Sequence, residues 1–296
     1  MTKILHQVEA KYNKFLKHKY SRLARLDKPI GIWLTLFPAL WAVAMAASNW
    51  SEVALYSFIM FIGAIAARSA GCIVNDLYDK DIDKKVTRTK LRPLASGEIR
   101  KKEALMLLAI CGAIAIAILL MLPIQSIIFG LIAIPMIAIY PLLKRVTFYP
   151  QVFLGFVFNL GVFIGWFAVS PMFSYQAILL YVASVLWTIG FDTIYGHQDR
   201  LADETHGLKS LSIKLGDKTA DFVWGLYKTM LVLIVICAVG EGMNLAFYIV
   251  AATVTYYLYW QTATLDINDP KDCAEKFYSN WHIGAILWIG MLLGRF

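Results

Sequence analysis

The chain has 296 residues and a formal net charge of +8 at neutral pH. Hydrophobic residues make up 59% of it and charged residues only 16%, whereas a soluble domain carries about 25% charged residues. The composition therefore excludes an ordinary soluble globular domain and predicts an integral membrane protein.

The first predicted element is an amphipathic helix within residues 1–24. Its apolar side chains recur at helical spacing between lysines, which is typical of a helix lying on the anionic inner leaflet of a membrane. The segment lacks the apolar core and cleavage site of a signal peptide. Glu9 and the scarcity of Ser and Arg weigh against a mitochondrial transit peptide.

Apolar stretches near the spanning length of about 20 residues occupy the rest of the chain. There are nine, at approximately 30–48, 53–74, 103–122, 124–143, 151–170, 174–194, 220–240, 244–263 and 278–294. We expect an all-α membrane protein in which residues 25–296 form a single polytopic domain. Its nine transmembrane helices are expected to form a bundle around a cavity that opens laterally and towards the cytoplasm.

Lysine and arginine concentrate in alternate connections between these stretches. The first 28 residues carry eight and residues 75–102 carry nine, whereas the connections at 49–52, 123, 171–173 and 241–243 carry none. Basic loops face the cytoplasm, so the N-terminus is predicted to be cytoplasmic. The positive charge then reflects topology and does not indicate nucleic-acid binding. The lack of a convincing transit peptide favours a bacterial inner membrane.

Two acidic rows lie where predicted spans meet cytoplasmic loops. The spacing of each row places its carboxylates on one helix face. The first acidic row is Asp76, Asp79 and Asp83, and the second acidic row is Asp192, Asp199 and Asp203. Carboxylates at a membrane boundary need partners, and oxygen ligands suit Mg²⁺, which usually shares its shell with phosphate oxygens. The pattern predicts a membrane enzyme that handles a diphosphate with Mg²⁺.

The acidic rows and several other stretches carry a resemblance to a known family. Asn75-Asp76-x-x-Asp79-x-x-x-Asp83 resembles the first signature of the UbiA superfamily of intramembrane aromatic prenyltransferases. The second acidic row resembles the second signature, and Tyr140-Pro-Leu-Leu-Lys144 looks like the Tyr-x-x-x-Lys element of the family. The stretches 25–31, 88–97 and 192–210 resemble its 4-hydroxybenzoate polyprenyltransferase branch. The likeness runs from residue 22 to about 284.

The resemblance implies transfer of a polyprenyl group from polyprenyl diphosphate to 4-hydroxybenzoate, ortho to the hydroxyl, in ubiquinone biosynthesis. Both acidic rows would hold Mg²⁺ against the diphosphate, the prenyl tail would lie among apolar spans, and no redox cofactor is needed. Another acceptor, such as dihydroxynaphthoate, homogentisate, haem or a chlorophyll precursor, is the alternative within the family. A cation-coupled transporter is less favoured, because the acids cluster at one membrane face and not at the midplane.

Several neutral and basic side chains are assigned to the diphosphate as well. Asn75 is expected to act as a neutral oxygen ligand or as a hydrogen-bond donor. Lys144 is expected to neutralise the diphosphate, and Tyr140, one turn earlier, to contact it or to shield the allylic cation with its ring. A snorkelling anchor and an aromatic-belt residue are the alternatives for Lys144 and Tyr140.

Arginines are candidates for substrate anions because the guanidinium fork binds carboxylates bidentately. Arg25 and Arg145 are assigned this role, with topological charge as the alternative. The basic loop 84–102 is predicted to cap the active site, since an allylic cation exposed to water would be hydrolysed. Arg88 and Arg92 in this loop are assigned to substrate binding as well.

Four further polar positions are interpreted from their place in the chain. Asn159 lies deep in a predicted span and either lines the cavity or hydrogen-bonds to a neighbouring helix. Arg68 lies about two turns before Asn75 and needs an acidic partner, for which the first acidic row is expected. His197 and His206 are interpreted as loop residues and not as zinc ligands.

Overall fold

The structure, a computed structural model, describes residues 14–86, 89–205 and 207–296. Regular secondary structure in these residues is helical throughout, which confirms the all-α membrane fold class. The helices are α1 (Lys19–Leu23), α2 (Ile30–Ala46), α3 (Trp50–Asp83), α4 (Lys101–Leu119), α5 (Ile124–Val146), α6 (Pro150–Val169), α7 (Tyr175–Gly196), α8 (Arg200–Thr205), α9 (Leu211–Leu215), α10 (Thr219–Gly240), α11 (Leu245–Ala263) and α12 (Pro270–Arg295), with 3₁₀ turns at His197–Asp199 and Gly216–Lys218.

Each of the nine predicted spans coincides with one long helix of the described residues, α2–α7 or α10–α12. Six segments are both long and apolar enough to cross a membrane: Trp50–Asp83, Lys101–Leu119, Ile124–Leu143, Pro150–Val169, Tyr175–Asp199 and Leu211–Gly240. Helix α2 is apolar but has only 17 residues. Helices α11 and α12 are less apolar, because Thr, Tyr and Trp recur in α11 and Asn280 and His282 interrupt α12.

Two helices extend beyond the spans predicted for them. Helix α3 continues to Asp83, nine residues past the predicted end at 74, so the first acidic row is helical. Helix α12 begins at Pro270, where the side chain of Asp269 accepts a hydrogen bond from the backbone N–H of Lys271. An acidic cap followed by proline at the first helical position is a strong start signal, and it precedes the apolar stretch from which the span was predicted.

The chain divides into two compact units. The first contains the described residues of Met1–Ile32 and of Ile62–Ile118, and the second contains Trp33–Phe61 and Leu119–Phe296. The single domain predicted for 25–296 stays a prediction, as does the interfacial helix 1–24, of which residues 1–13 lie outside the described residues.

The first unit has a core in which the loop after α3 takes part. The buried side chains of this core are Leu23, Ile73, Leu94, Ile99, Ala104 and Cys111. Helix α1 is held at its edge because Glu103 Oε1 accepts hydrogen bonds from Lys19 Nζ at 2.8 Å and Tyr20 Oη at 2.7 Å. The loop 89–99 is therefore anchored by apolar side chains and is not a freely solvated connection.

The second unit is built around α7, which packs against α6 and α10. Its largest fully buried side chains are Phe37, Trp41, Trp187, Phe191, Tyr227 and Phe247. Two indole nitrogens inside this core are hydrogen-bonded: Trp41 Nε1 donates to the backbone oxygen of Gly284 at 3.0 Å, and Trp187 Nε1 donates to Asn280 Oδ1 at 2.8 Å. Such pairing stabilises the core because a membrane interior offers no water as an alternative partner.

Within the second unit, two glycines one turn apart on α6 face α2. A Cβ atom at Gly165 would lie 2.6 Å from the backbone oxygen of Ala39, whereas a Cβ atom at Gly161 would lie 3.4 Å from the Ala39 Cβ. Small residues at this spacing let helix backbones approach closely in membranes. The backbone contact at Gly165 leaves no room for a methyl group.

We predict that Gly165→Ala lowers the free energy of unfolding by about 1–3 kcal/mol, the usual range for overpacking, because the backbone of α2 has to move. Gly161→Ala is the matched control and should change it by less than about 0.5 kcal/mol. Thermal unfolding in detergent measures both. Equal melting temperatures for the two variants would contradict the close approach of α2 to Gly165.

Candidate active site

The first acidic row lies on the last two turns of α3. Asp76 is only 1% exposed and Asp83 only 5% exposed, while Asp79 and Asn75 are half-buried. The predicted helical spacing is therefore present. Burial of two carboxylates at a helix end near a membrane boundary requires compensating positive charge.

Two arginines supply this charge. Arg25 Nη2 lies 2.6 Å from Asp76 Oδ1 and 2.8 Å from Asp76 Oδ2. Arg92 Nη1 lies 3.3 Å from Asp76 Oδ1, and 3.0 Å and 2.8 Å from the two carboxylate oxygens of Asp83. One guanidinium nitrogen thus contacts both buried carboxylates of the row. Burial lowers the pKa of Arg25, but the charge of Asp76, its hydrogen bond with Arg25 and the charges of other neighbours together raise that pKa above its ordinary value.

The backbone around Arg25 is shaped to present its side chain. Arg25 has a φ of 59°, a left-handed conformation that is costly for a residue with a Cβ and is found mostly where surrounding contacts enforce it. Its Nη1 donates to the backbone oxygen of Arg22 at 2.9 Å. Ser69 Oγ donates to the backbone oxygen of Ala24 at 3.1 Å, which ties this turn to α3.

Arg92 is positioned by the loop that follows α3. Thr89 is buried, and its Oγ1 donates to the backbone oxygen of Asp83 at 3.0 Å. Leu94, two residues after Arg92, is 1% exposed in the core of the first unit. Arg88, which was predicted to bind substrate from the same loop, lies outside the described residues.

The sequence assigned Arg25 and Arg92 to a substrate anion, and the structure pairs both with the first acidic row. The physical reason is that carboxylates this deeply buried would be unstable without opposite charge. Arg68, for which the first acidic row was the expected partner, has its guanidinium against Gly31, where an added Cβ would lie 2.7 Å from Arg68 Nε.

The second acidic row does not lie on one continuous α-helix, which corrects the prediction of a single helix face. Asp192 belongs to α7, Asp199 ends the 3₁₀ turn His197–Asp199, and Asp203 belongs to α8. A 3₁₀ turn has about 3.0 residues per turn against 3.6 in an α-helix. The turn therefore changes the helical phase between Asp192 and the pair Asp199 and Asp203 from the one that an uninterrupted α-helix would give.

Side chains from the following segment hold the second acidic row in place. Ser212 Oγ donates to the backbone oxygen of Thr193 at 2.7 Å. Gln151 Oε1 accepts from the backbone N–H of Leu211 at 3.0 Å. These buried bonds fix the end of α7 against α9 and the start of α6.

Sequence reasoning missed the importance of His197. It was interpreted as a loop residue, but its side chain is only 5% exposed and contacts Thr219. The signal available in the sequence was its position between Asp192 and Asp199. The burial of His197 depends on contacts with the later segment 211–219, so the sequence immediately around His197 did not reveal it.

The remaining predicted residues lie on α5 and α6. Tyr140 is half-buried and Arg145 is exposed on α5, and the side chain of Lys144 lies outside the described residues. Asn159 on α6 is fully buried, and its Nδ2 donates to the backbone oxygen of Gly155 at 2.7 Å and to Thr188 Oγ1 at 2.8 Å. The structure therefore shows the interhelical hydrogen bond expected for Asn159, and the role of this residue in lining the cavity stays a prediction.

The first acidic row suits a hard divalent cation. Among the described residues, no three His, Cys, Asp or Glu side chains converge as a metal site. Mg²⁺ does not require this, because it usually keeps several waters and binds one or two carboxylates together with phosphate oxygens. Asp76 and Asp83 already place their oxygens around one positive nitrogen, Arg92 Nη1, so a small cation there would meet two carboxylates.

Known proteins resemble this chain over most of its length. Residues 35–287 match the UbiA prenyltransferase family. The 4-hydroxybenzoate polyprenyltransferase, mitochondrial, of Drosophila melanogaster is 39% identical over 93% of this chain and 71% of its own length. The human protein of the same name is 39% identical over 93% and 75%. The 4-hydroxybenzoate geranyltransferase 1 of Lithospermum erythrorhizon is 39% identical over 93% and 90%.

Solved structures show the same fold. The apo structure of a UbiA homolog from Aeropyrum pernix K1 matches with a TM-score of 0.75 and 25% identity, covering 89% of this chain and 97% of that one. A UbiA homolog from Archaeoglobus fulgidus bound to GPP and Mg²⁺ matches with a TM-score of 0.69 and 18% identity, covering 94% and 99%.

We predict that Arg25→Met lowers the free energy of unfolding by about 3 kcal/mol, because it removes one partner of a buried carboxylate. Lys84→Met is the matched control, since Lys84 pairs at 3.0 Å with Asp81, whose side chain is 87% exposed, and an exposed pair contributes about 0–1 kcal/mol. Thermal unfolding in detergent without added metal compares them. A stability loss no larger for Arg25→Met than for Lys84→Met would contradict the assigned network.

Proposed function

This chain belongs to the UbiA prenyltransferase family, and we propose that it transfers a polyprenyl group from polyprenyl diphosphate to 4-hydroxybenzoate in ubiquinone biosynthesis. The names of relatives support the acceptor. Proteins from an insect, a human and a plant, each 39% identical to this chain, are all named for 4-hydroxybenzoate, although one is a geranyltransferase and two are polyprenyltransferases. These relatives therefore share the acceptor named for them, 4-hydroxybenzoate, although the prenyl group named for them differs.

The observation that carries the proposal is the arrangement of Asp76 and Asp83 with Arg25 and Arg92. A prenyl diphosphate bound with Mg²⁺ needs carboxylates for the metal and cations for the phosphate oxygens. Both kinds of group meet within hydrogen-bond distance at the end of α3. If Asp76 and Asp83 had only a structural role, positive charge that neutralises them would be enough. Their burial would not be required.

The proposed reaction is an electrophilic aromatic substitution. The bond between the allylic C1 of the prenyl chain and the diphosphate oxygen breaks, and its electron pair leaves with diphosphate. The ring carbon ortho to the hydroxyl of 4-hydroxybenzoate forms a bond to C1. That carbon then loses its proton and aromaticity returns. Electrons balance without a redox cofactor.

We assign Mg²⁺ to the two acidic rows, where it would neutralise charge on the departing diphosphate. The ligands would be Asp76, Asp79 and Asp83 in the first row and Asp192, Asp199 and Asp203 in the second. Arg25 and Arg92 neutralise the buried carboxylates, and with Mg²⁺ held by these carboxylates their guanidinium donors would be available to bind phosphate oxygens. Such positioned charge stabilises the developing diphosphate anion in a site of low dielectric constant.

Further residues keep their sequence-based assignments as part of this proposal. Asn75 binds metal or diphosphate beside Asp76. Tyr140 and Lys144 on α5 contact the diphosphate or the allylic cation, and Arg145 binds a substrate anion. Arg88 binds substrate from the loop after α3.

The loop 84–102 is proposed to exclude water from the allylic cation. Its apolar anchors, Leu94 and Ile99, are each 1% exposed, and Arg92 connects it to the first acidic row. An anchored loop can hold a closed conformation at little entropic cost, because its buried side chains are already ordered.

The membrane and orientation are also part of the proposal. The six spanning segments make this a multi-pass membrane protein. Relatives from Drosophila and human are named as mitochondrial, which does not support the predicted bacterial inner membrane.

We propose that the basic loop 84–102 lies on the same side of the membrane as the N-terminus. A cysteine introduced there by Ser96→Cys should react with a membrane-impermeant thiol reagent only after the compartment on that side has been made accessible to the reagent.

The function is tested with membranes that contain the protein, a long-chain polyprenyl diphosphate, Mg²⁺ and radiolabelled 4-hydroxybenzoate. We expect label in the lipid phase, lost with EDTA and reduced by at least about 100-fold in Asp76→Asn and Asp199→Asn, because the developing diphosphate charge loses its metal. Lys84→Met should retain transfer, since its partner Asp81 is exposed.

Two other outcomes have definite meanings. Transfer to dihydroxynaphthoate, homogentisate or haem, without transfer to hydroxybenzoate, would keep the chemistry and replace the acceptor. No transfer to any aromatic acceptor, by protein that is folded in the same membranes, would contradict the proposed function.

A further inference from the structure

Two consecutive side chains in the second acidic row, buried His197 and partly buried Gln198, are not used by the function above. They lie between Asp192 and Asp199. One atom of each, His197 Nδ1 and Gln198 Nε2, is buried without a hydrogen-bond partner among the described residues. Native proteins leave few buried polar atoms unpaired. Two such atoms in consecutive residues of an acidic motif indicate that a ligand completes them.

The contact of His197 with Thr219 fixes which ring nitrogen carries the proton. Thr219 Oγ1 donates its single hydrogen to the backbone oxygen of Gly216 at 2.8 Å, so it accepts from His197 Nε2 at 2.9 Å. In the neutral ring the other nitrogen then has a free lone pair. Nδ1 is therefore an acceptor, and the neighbouring Gln198 Nε2 is a donor.

The backbone at this point has little freedom to find other partners. A Cβ atom at Gly196 would overlap Ser212 Oγ, and that hydroxyl is bound to the backbone oxygen of Thr193 at 2.7 Å. His197 is held from the other side by Thr219. The His197 ring, and with it the acceptor Nδ1, is thus fixed in place before any ligand binds.

We propose that His197 and Gln198 bind the hydrated Mg²⁺–diphosphate head group at the second acidic row. Gln198 Nε2 donates to a diphosphate oxygen, and His197 Nδ1 accepts a hydrogen bond from a water molecule of the metal shell. Mg²⁺ usually keeps several waters, which are donors, whereas diphosphate oxygens are acceptors. A donor and an acceptor from consecutive residues of the motif match this combination, and diphosphate without hydrated metal would leave Nδ1 unpaired. The inference rests on the proposed function.

Two substitutions of His197 separate ligand binding from scaffolding. In His197→Gln the side-chain amide reaches the place of Nε2, which keeps the contact with Thr219 and removes the acceptor at Nδ1. In His197→Asn the shorter amide lies near the place of Nδ1, which keeps a polar atom for the ligand and removes the contact with Thr219. The third variant, Gln198→Leu, removes the donor.

The matched control is Asn280→Leu. Asn280 is also buried, but both ends of its amide are paired: its Oδ1 accepts from Trp187 Nε1 at 2.8 Å, and its Nδ2 donates to the backbone oxygen of Lys276 at 3.0 Å. Its loss should lower the melting temperature and leave ligand affinity unchanged.

The experiment is calorimetric titration of the purified full chain in detergent with inorganic diphosphate in the presence of Mg²⁺. We expect His197→Gln and Gln198→Leu each to raise Kd about tenfold, the usual effect of one hydrogen bond to a charged group. His197→Asn should keep Kd within about threefold while lowering the melting temperature. Transfer by each variant is measured in parallel at saturating Mg²⁺.

Each contrary result has one reading. Weakened binding in His197→Asn with normal binding in His197→Gln would make His197 a scaffold residue and overturn the proposal. Unchanged Kd in His197→Gln and Gln198→Leu, with transfer by the wild type intact, would overturn the proposal and leave the proposed function standing. If the wild type neither binds inorganic diphosphate with Mg²⁺ nor transfers a prenyl group, both this proposal and the proposed function are overturned.

Discussion

The pairing of Asp76 with Arg25 and Arg92 is the interaction on which the first acidic row depends. Asp76 is 1% exposed, and a carboxylate at that depth is unstable without positive charge nearby. The left-handed backbone of Arg25 and the anchored loop around Arg92 both serve to bring a guanidinium to it. The carboxylate of Asp76 thereby constrains two parts of the chain, the turn at Arg25 before α3 and the loop around Arg92 after it.

The same arrangement explains how a buried acidic row can be stable and still bind metal. Arg92 Nη1 lies between Asp76 and Asp83, at a position that a small cation would also favour. In the proposed site, exchange of a guanidinium for Mg²⁺ would keep the carboxylates neutralised. The displaced guanidinium would then be available for phosphate oxygens, for which its planar fork is well suited. Charge would be rearranged within the site, and no carboxylate would be left buried and unpaired.

Much of the fold was predictable because spanning helices carry a strong local signal. Each predicted span coincides with a long helix, and the i, i+3, i+7 spacing of the first row correctly predicted a helix through Asp83. The partners of the row were not predictable in detail. Arg25 and Arg92 were recognised as functional, but their contacts with Asp76 depend on turns that only the folded chain forms.

The second row shows where sequence periodicity fails. A 3₁₀ turn at His197–Asp199 changes the helical phase, and its cause lies in the contacts of residues 211–219 with the end of α7. Periodicity along residues 192–203 contains no information about those contacts. The burial of His197 and the unpaired atoms of His197 and Gln198 became visible only with the tertiary structure.

The most direct test of the account is the affinity of Arg92→Met for Mg²⁺ alone and for diphosphate with Mg²⁺, compared with the wild type and Lys84→Met. If Arg92 occupies a position that Mg²⁺ shares, its removal should tighten binding of Mg²⁺ alone and weaken binding of diphosphate. Unchanged affinity for both ligands in Arg92→Met would contradict the exchange of guanidinium for metal at Asp76 and Asp83.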